Sequence, residues 1–388
     1  MPVTPGLSSL LTSGRLAGAR VGLVANPSSV DDAFVHAADR LRAAPGVTLA
    51  ALFGPQHGFH STLQDNMIET PHARDARRQV PVYSLYSETR EPTDAMLEGL
   101  DVLVIDLQDV GTRVYTFIYT MANCMRAAAR RGLPVIVCDR PNPISGLDVE
   151  GPMLVSGCES FVGLYPIPLR HGMTVGELAQ LFNVEFGIGA ALEVERMDGW
   201  RRDMWWEETG LPWVIPSPNM PTVDTAVVYP GMVLFEGTLI SEGRGTTRPF
   251  ELVGVPGIDA ETFADGFNRL GLPGVHVRPA YFEPTFQKHA GLQCGGGQLH
   301  VTDRRLFRAV DTAAALLCAF RDALPGRQLP WRPPPYEYEH DKMPIDILAG
   351  SPALREAVDA GATAADLRAL IPEGLTAFAE TRARHLLY

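Results

Sequence analysis

A chain of 388 residues with 46% hydrophobic and 20% charged residues has the composition of a folded globular protein, which excludes the disordered classes. That length exceeds what one hydrophobic core usually serves, so two domains are expected. The 45 acidic residues outnumber the 33 basic ones, and the formal charge of -12 repels phosphate backbones and anionic membrane surfaces, which sets nucleic acid and membrane aside as partners.

The first residues, Met1-Pro-Val-Thr-Pro-Gly-Leu7, lack the basic start and continuous apolar stretch of a signal peptide. No later apolar run is long enough to span a bilayer. Cys124, Cys138, Cys158, Cys294 and Cys318 are odd in number and scattered, without the close Cys or His pairs of a metal site. They fit a reducing compartment, and a cytoplasmic location is expected.

From the N-terminus, short apolar runs alternate with helix-like segments, the pattern of a parallel sheet covered by helices and hence of an α/β fold. Strands are predicted at 20–25, 47–53, 80–84, 102–106 and 134–138. Helices are predicted at 31–44 and 116–131, where Ala, Leu, Met and Arg recur at helical spacing. Each strand runs into a polar loop: Asn26-Pro-Ser-Ser29, Gly54-Pro-Gln-His-Gly58, Leu107-Gln-Asp-Val-Gly-Thr-Arg113 and Asp139-Arg-Pro-Asn-Pro143. Parallel strands bring these loops to one edge of the sheet, where open α/β proteins bind ligands. Turn formation alone accounts for Pro, Gly, Asn and Asp. It does not call for Gln56, His57, Gln108, Arg113 and Arg140, which mark that edge as the expected site.

A further helix is expected at 171–182 and a strand at 192–197, both added to the same sheet. Thr174 and Glu177 have the spacing of a capping box, so they are read as helix-starting residues. The Pro- and Trp-rich stretch at 205–221 interrupts regular structure and marks the crossing into the second domain, drawn as 1–215 and 216–388. The remainder is mixed: strand-like runs near Val233 and Val275, a helix at 306–324, a Pro-rich turn at 331–336 and a final helical stretch. In Glu236-Gly-Thr-Leu-Ile-Ser-Glu-Gly-Arg-Gly-Thr-Thr-Arg-Pro249, Gly243 and Gly245 would let backbone amides approach a ligand, and Arg244 and Arg248 could grip a carboxylate. A glycine-rich hairpin with solvated charges fits the same residues.

The first strand-to-helix turn, Val24-Ala-Asn-Pro-Ser-Ser-Val30, carries neither a dinucleotide nor a triphosphate glycine motif, and no Gly-x-Ser-x-Gly elbow occurs. No cofactor is expected. His57, His60 and His72 gather with Asp65 and Glu69, but their spacing matches no standard metal motif, so no metal is assigned. Glycoside cleavage fits better, because it needs an acid at the leaving oxygen and a second group that supplies, orients or replaces the nucleophile. Asp106, Asp109, Glu69, Glu236 and Glu242 are the available carboxyls. Asp106 could equally brace a loop.

At these residues the sequence resembles a known family. Leu52-Phe-Gly-Pro-Gln-His-Gly-Phe59, Ile105-Asp-Leu-Gln-Asp-Val-Gly-Thr-Arg-Val-Tyr-Thr116, Asp139-Arg-Pro-Asn-Pro143, Ser217-Pro-Asn-Met-Pro221, Glu242-Gly-Arg-Gly-Thr-Thr-Arg-Pro-Phe250 and Tyr336-Glu-Tyr-Glu339 resemble a bacterial family long known as a domain of unknown function, whose members are exo-β-N-acetylmuramidases. The resemblance extends to the terminal Leu386-Leu-Tyr388. It implies a Rossmann-like domain flanked by helices, a smaller mixed α+β domain that closes a cleft, and a hydrolase that removes non-reducing N-acetylmuramic acid from small peptidoglycan-derived saccharides in cell-wall recycling. One departure stands out, since many relatives have glutamate, a leading candidate for the catalytic acid, where this chain has Gln56. The acid is then displaced, with Glu69, Asp65 and Asp106 as candidates, or the substrate or reaction differs. The catalytic set expected is Glu69, Asp106 and His57. Substrate contacts are expected from Asn26, Gln56, Gln108, Asp109, Arg113, Asp139, Arg140, Asn142, Asn219, Glu242, Arg244 and Arg248. The alternatives are hydrolysis of another amino sugar or anionic glycoside, or sugar binding without catalysis.

Overall fold

The computed structural model describes residues 2–65, 67–370 and 374–388. Six apolar runs of the N-terminal part form strands: β1 (Arg20–Ala25), β2 (Thr48–Gly54), β4 (Val80–Ser84), β5 (Val102–Asp106), β6 (Val135–Cys138) and β9 (Leu192–Glu195). Between them lie the short β3 (Ala73–Asp75) and a separate two-stranded ribbon of β7 (Glu150–Met153) and β8 (Pro168–Arg170). The main sheet has seven strands in the order β3-β4-β2-β1-β5-β6-β9, and all are parallel except the edge strand β3.

Strands buried on both faces read as unbroken apolar runs, and alternate residues serve different layers. Val24, Phe53, Leu103 and Ile105 join the larger core, while Val21, Leu23, Ala25, Leu52 and Val104 join a second core with Leu7, Leu10 and Leu41 from the helices Gly6–Ser13 and Ala37–Ala43. The larger core also takes in the helices Phe117–Arg130 and Val175–Glu185 and continues into the C-terminal part. Thr174 and Glu177 make both bonds of the capping box that their spacing predicts. The helix expected at 31–44 begins only at Ala37, because His36 caps it and Asp31 turns the preceding residues back on themselves.

In the C-terminal part, β10 (Leu252–Val255), β12 (Cys294–Val301) and β11 (Val275–Phe282) form a three-stranded antiparallel sheet in that spatial order. It packs with the helices Ala260–Asn268 and Ala309–Ala323. The strand expected near Val233 is instead the end of a buried helix, Val223–Met232, and a following 3-10 turn, Val233–Gly237. An apolar run buried on every side has no amphipathic period to separate helix from strand. Thr222 caps that helix on the amide of Thr225, which sets where it starts.

Candidate active site

Strand order reverses between β1 and β5, the place where an open α/β sheet would hold a ligand. Here the protein fills that crevice with its own side chains. Asn26 donates from Nδ2 to the Gln108 carbonyl, and Gln108 donates from Nε2 to the carbonyls of Asp109 and Pro141. Asp106 is fully buried in a two-point ion pair with Arg140, at 2.5 Å and 2.8 Å, and Arg140 also reaches the Val30 carbonyl. Asn142 ties the Met173 carbonyl to the amide of Ile144. Asp139 accepts from Arg140 N, Gly176 N, Thr174 Oγ1 and Tyr388 Oη, joining the sheet to a helix start and to the last residue of the chain. Asp109 accepts from Gly111 N and lies 3.3 Å from His171.

Arg113 is also structural. Its guanidinium is wholly buried and donates to the carbonyls of Pro152, Ile167 and Leu348, clamping the ribbon to the start of the C-terminal helices. Burial pushes its pKa down to about 10, so it stays charged at neutral pH.

A polar pocket instead opens where the loop after β2 meets the C-terminal part. Gln56, His57, Thr116, Asn219, Tyr229, Glu236, Arg244, Tyr336 and Glu337 line it. The β2 loop folds back so closely on Gly54 that a Cβ there would come within 2.5 Å of the Phe59 amide. Opposite stands a tight turn in which Tyr336 and Glu339 exchange backbone hydrogen bonds of 3.0 Å and 2.9 Å. Its two central residues, Glu337 and Tyr338, have φ of 46° and 67°, values that favour glycine. Non-glycine residues held there cost on the order of 1–3 kcal/mol each, and such strain clusters at ligand and catalytic sites.

The strained turn carries Glu337 into the pocket. Its Oε2 accepts from Tyr86 Oη at 2.7 Å and its Oε1 from Gln56 Nε2 at 3.2 Å. Gln56 is oriented in turn by Thr116 Oγ1, which donates to its Oε1 at 2.7 Å. Burial pushes the Glu337 pKa above the usual glutamate value, and the nearby charge of Glu236 adds to this against the hydrogen bonds of Tyr86 and Gln56. Glu236 behaves oppositely. Although burial works against its ionisation, the Arg244 guanidinium, 2.6 Å away, and the Tyr336 hydroxyl, also at 2.6 Å, hold its pKa below the usual value.

Arg244 anchors an alternating row of charges: Glu236, Arg244, Glu242 and Lys288, with Arg244 Nε 3.4 Å from Glu242 and Lys288 Nζ 2.6 Å from it. The Nη1 of Arg244 is buried and makes no hydrogen bond among the described residues. Gly243 and Gly245, at φ of 80° and 81°, serve the chain's own backbone rather than a ligand: a Cβ would come within 2.8 Å of the Arg248 carbonyl at the first and 2.6 Å of the Phe286 carbonyl at the second. His57 donates from Nδ1 to the Leu63 carbonyl. Burial and the charge of Arg244 take its pKa down to about 4, so the ring is neutral and presents Nε2 as an acceptor.

Of the residues expected from sequence, His57, Gln56, Asn219 and Arg244 come together in this pocket, and Glu242 backs it. Asn219 is held by the Gln64 carbonyl. Glu69 is not brought there: its side chain is 49% exposed and pairs with Arg90. Arg248 pairs with Glu251 and is 46% exposed, outside the pocket lining. Asp106, Asn26, Gln108, Asp109, Arg113, Asp139, Arg140 and Asn142 serve the loops and joints described above. His57, His60, His72, Asp65 and Glu69 are dispersed, with His72 beside Glu88, Asp65 bonded by Gln287, and Glu69 beside Arg90. Among the described residues no three His, Cys, Asp or Glu side chains form a group able to hold a metal ion.

Sequence reasoning missed Glu337 and passed over Glu236. The clue for Glu337 was a carboxyl between two tyrosines after a proline run, at Pro333-Pro-Pro-Tyr-Glu-Tyr338. A larger cavity of about 690 Å³ lies between the helices Ala260–Asn268 and Ala309–Ala323. Arg321 and Arg327 on its rim are spent on Asp322, and its other carboxyl, Asp259, caps the helix Ala260–Asn268 on the amide of Thr262.

A family model described as exo-β-N-acetylmuramidase NamZ, N-terminal, matches residues 21–224, and its C-terminal counterpart matches residues 227–388. The chain is 46% identical to the peptidoglycan β-N-acetylmuramidase NamZ of Bacillus subtilis (strain 168) over 388 residues, covering 100% of this chain and 91% of that one. It is also similar to two crystal structures of DUF1343 family proteins from Bacteroides fragilis NCTC 9343. One has a TM-score of 0.90 at 34% identity and the other 0.79 at 26%, each covering 100% of this chain and 99% of its counterpart.

Proposed function

The chain belongs to the exo-β-N-acetylmuramidase NamZ family, and from that premise we propose that it removes terminal N-acetylmuramic acid from peptidoglycan fragments, with Glu337 as general acid and the Glu236 carboxylate as its ionised partner. The observation that carries the assignment is the opposite displacement of two carboxyls in one pocket. An acid must keep its proton until the leaving oxygen takes it, whereas the second group works as an anion. Glu337 meets the first demand by burial, and Glu236 meets the second through Arg244 and Tyr336. Neutral His57 leaves an acceptor for a substrate hydroxyl or amide.

N-acetylmuramic acid carries a lactyl carboxylate, which the free Nη1 of Arg244 would recognise. Arg244→Lys keeps a cation beside Glu236 but loses the fork. It is expected to weaken muramyl ligands by about 10- to 100-fold and N-acetylglucosaminyl ligands less. Equal losses in calorimetry would speak against lactyl recognition. The activity itself is tested by incubating purified protein with a short glycan bearing a terminal muramic acid. Release of N-acetylmuramic acid by mass spectrometry is the expected result, and no release at any pH overturns the proposal.

Gln56 does not supply the proton in this reading; it orients the group that does. Gln56→Glu would set a second carboxyl about 3 Å from Glu337 and remove its amide donor, so the two would share a proton and titrate as a pair. The expected outcome is a pH–rate profile with its alkaline limb moved upward and an activity equal to or below the parent at neutral pH. A gain of a hundredfold would instead mean that the parent lacks an acid. Among the described residues no helix is long and apolar enough to cross a membrane. The five free cysteines support action in the cytoplasm, on fragments already taken up.

A further inference from the structure

A glycosidic oxygen within reach of Glu337 joins the sugar to be removed to a second sugar on its far side. We infer that the ring of Tyr338, with Arg90 against it and Phe161 on the other side of Tyr86, receives that leaving sugar, an N-acetylhexosamine. The inference rests on the reading of Glu337 as the acid.

Three observations converge on this surface. Tyr338 directly follows Glu337 in the strained turn, is 45% exposed, and sits at a φ of 67° that an exposed tyrosine has no local reason to occupy. Tyr86, whose hydroxyl binds Glu337, turns its ring toward the same group, 6.2 Å from Tyr338 and 5.5 Å from Phe161 between centroids. The Arg90 guanidinium lies 4.0 Å from the Tyr86 ring centre and 4.8 Å from that of Tyr338, and pairs at 3.4 Å with the half-exposed Glu69. Aromatic faces pack against the apolar face of a pyranose, and a charged pair at the rim offers donors and acceptors to its hydroxyls. The surface is thus one tyrosine removed from the proton donor. It also gives Glu69 a place in recognition rather than in catalysis.

Tyr338→Gly removes the ring while fitting the positive φ, and Tyr338→Phe keeps a ring. In Tyr338→Gly, the inhibition constant of free N-acetylglucosamine and the KM of an N-acetylmuramyl–N-acetylglucosamine disaccharide are expected to rise by roughly 3- to 10-fold. The inhibition constant of free N-acetylmuramic acid and the pH profile should stay where they are, and Tyr338→Phe should restore the N-acetylglucosamine effect. Unchanged N-acetylglucosamine inhibition in Tyr338→Gly overturns the inference. So does an equal loss for both sugars, which would mean that the ring only props the Glu337 turn. If the parent hydrolyses nothing, the proposed activity fails by itself, and calorimetry of N-acetylglucosamine on parent and Tyr338→Gly still decides whether the surface binds a sugar.

Discussion

Replacing Glu337 by glutamine is expected to lower kcat/KM on a muramyl disaccharide by about 10²–10⁴-fold, the usual contribution of a positioned general acid. The replacement is close in shape: its amide oxygen can still accept from Gln56 Nε2, while its amide nitrogen would face Tyr86 Oη and donate to it, so the fold should persist. Two further readouts separate lost acid catalysis from lost packing. In the parent, activity falls as pH rises through the pKa of Glu337, because only the protonated form can donate. Its raised pKa keeps that limb above the ordinary glutamate range, and in Glu337→Gln the limb should vanish. The loss should also be much smaller with an aryl leaving group that departs without a proton. Equal losses for both leaving groups, or a limb that survives, would remove Glu337 from the acid's role.

Arg113→Met should cost about 3 kcal/mol or more of stability while leaving catalysis by the folded fraction within a few-fold of the parent. Three carbonyls, from Pro152, Ile167 and Leu348, would lose the donor of a fully buried side chain, and each buried unsatisfied group costs about 1–3 kcal/mol. The removal of a buried cation offsets part of this. A lowered urea midpoint at an unchanged slope is the expected result. An unchanged midpoint with a large rise in KM would return Arg113 to the substrate-binding role that its place in a polar loop first suggested.

That reversal for Arg113 shows where sequence reading reaches its limit. Val80–Ser84 and Val102–Asp106 are strands with the bounds their composition predicts, and Thr174 with Glu177 starts a helix as their spacing requires. These features depend on residues a few positions apart, so periodicity, capping and turn chemistry determine them within the chain itself. The α/β class and the parallel sheet follow from the same local information, and the family from motifs in fixed order.

What a polar loop residue does is not local. Asn26, Gln108, Asp139 and Arg140 are of the types that bind sugars and of the types that tie one loop to the next, and only their neighbours in space separate the two uses. The proposed choice of carboxyl rests on neighbours in space as well. Glu69 and Asp106 lie near the motifs in sequence, but one reaches the surface and the other is consumed by Arg140. Gln56 and Glu337 are 281 residues apart and meet only because the C-terminal turn is folded against the loop after β2. Sequence therefore determined the scaffold and the family, through interactions of short range. Tertiary structure decided which carboxyl has its pKa pushed up and which has it held down, because burial and the charge of Arg244 act through space on groups that the chain itself keeps far apart.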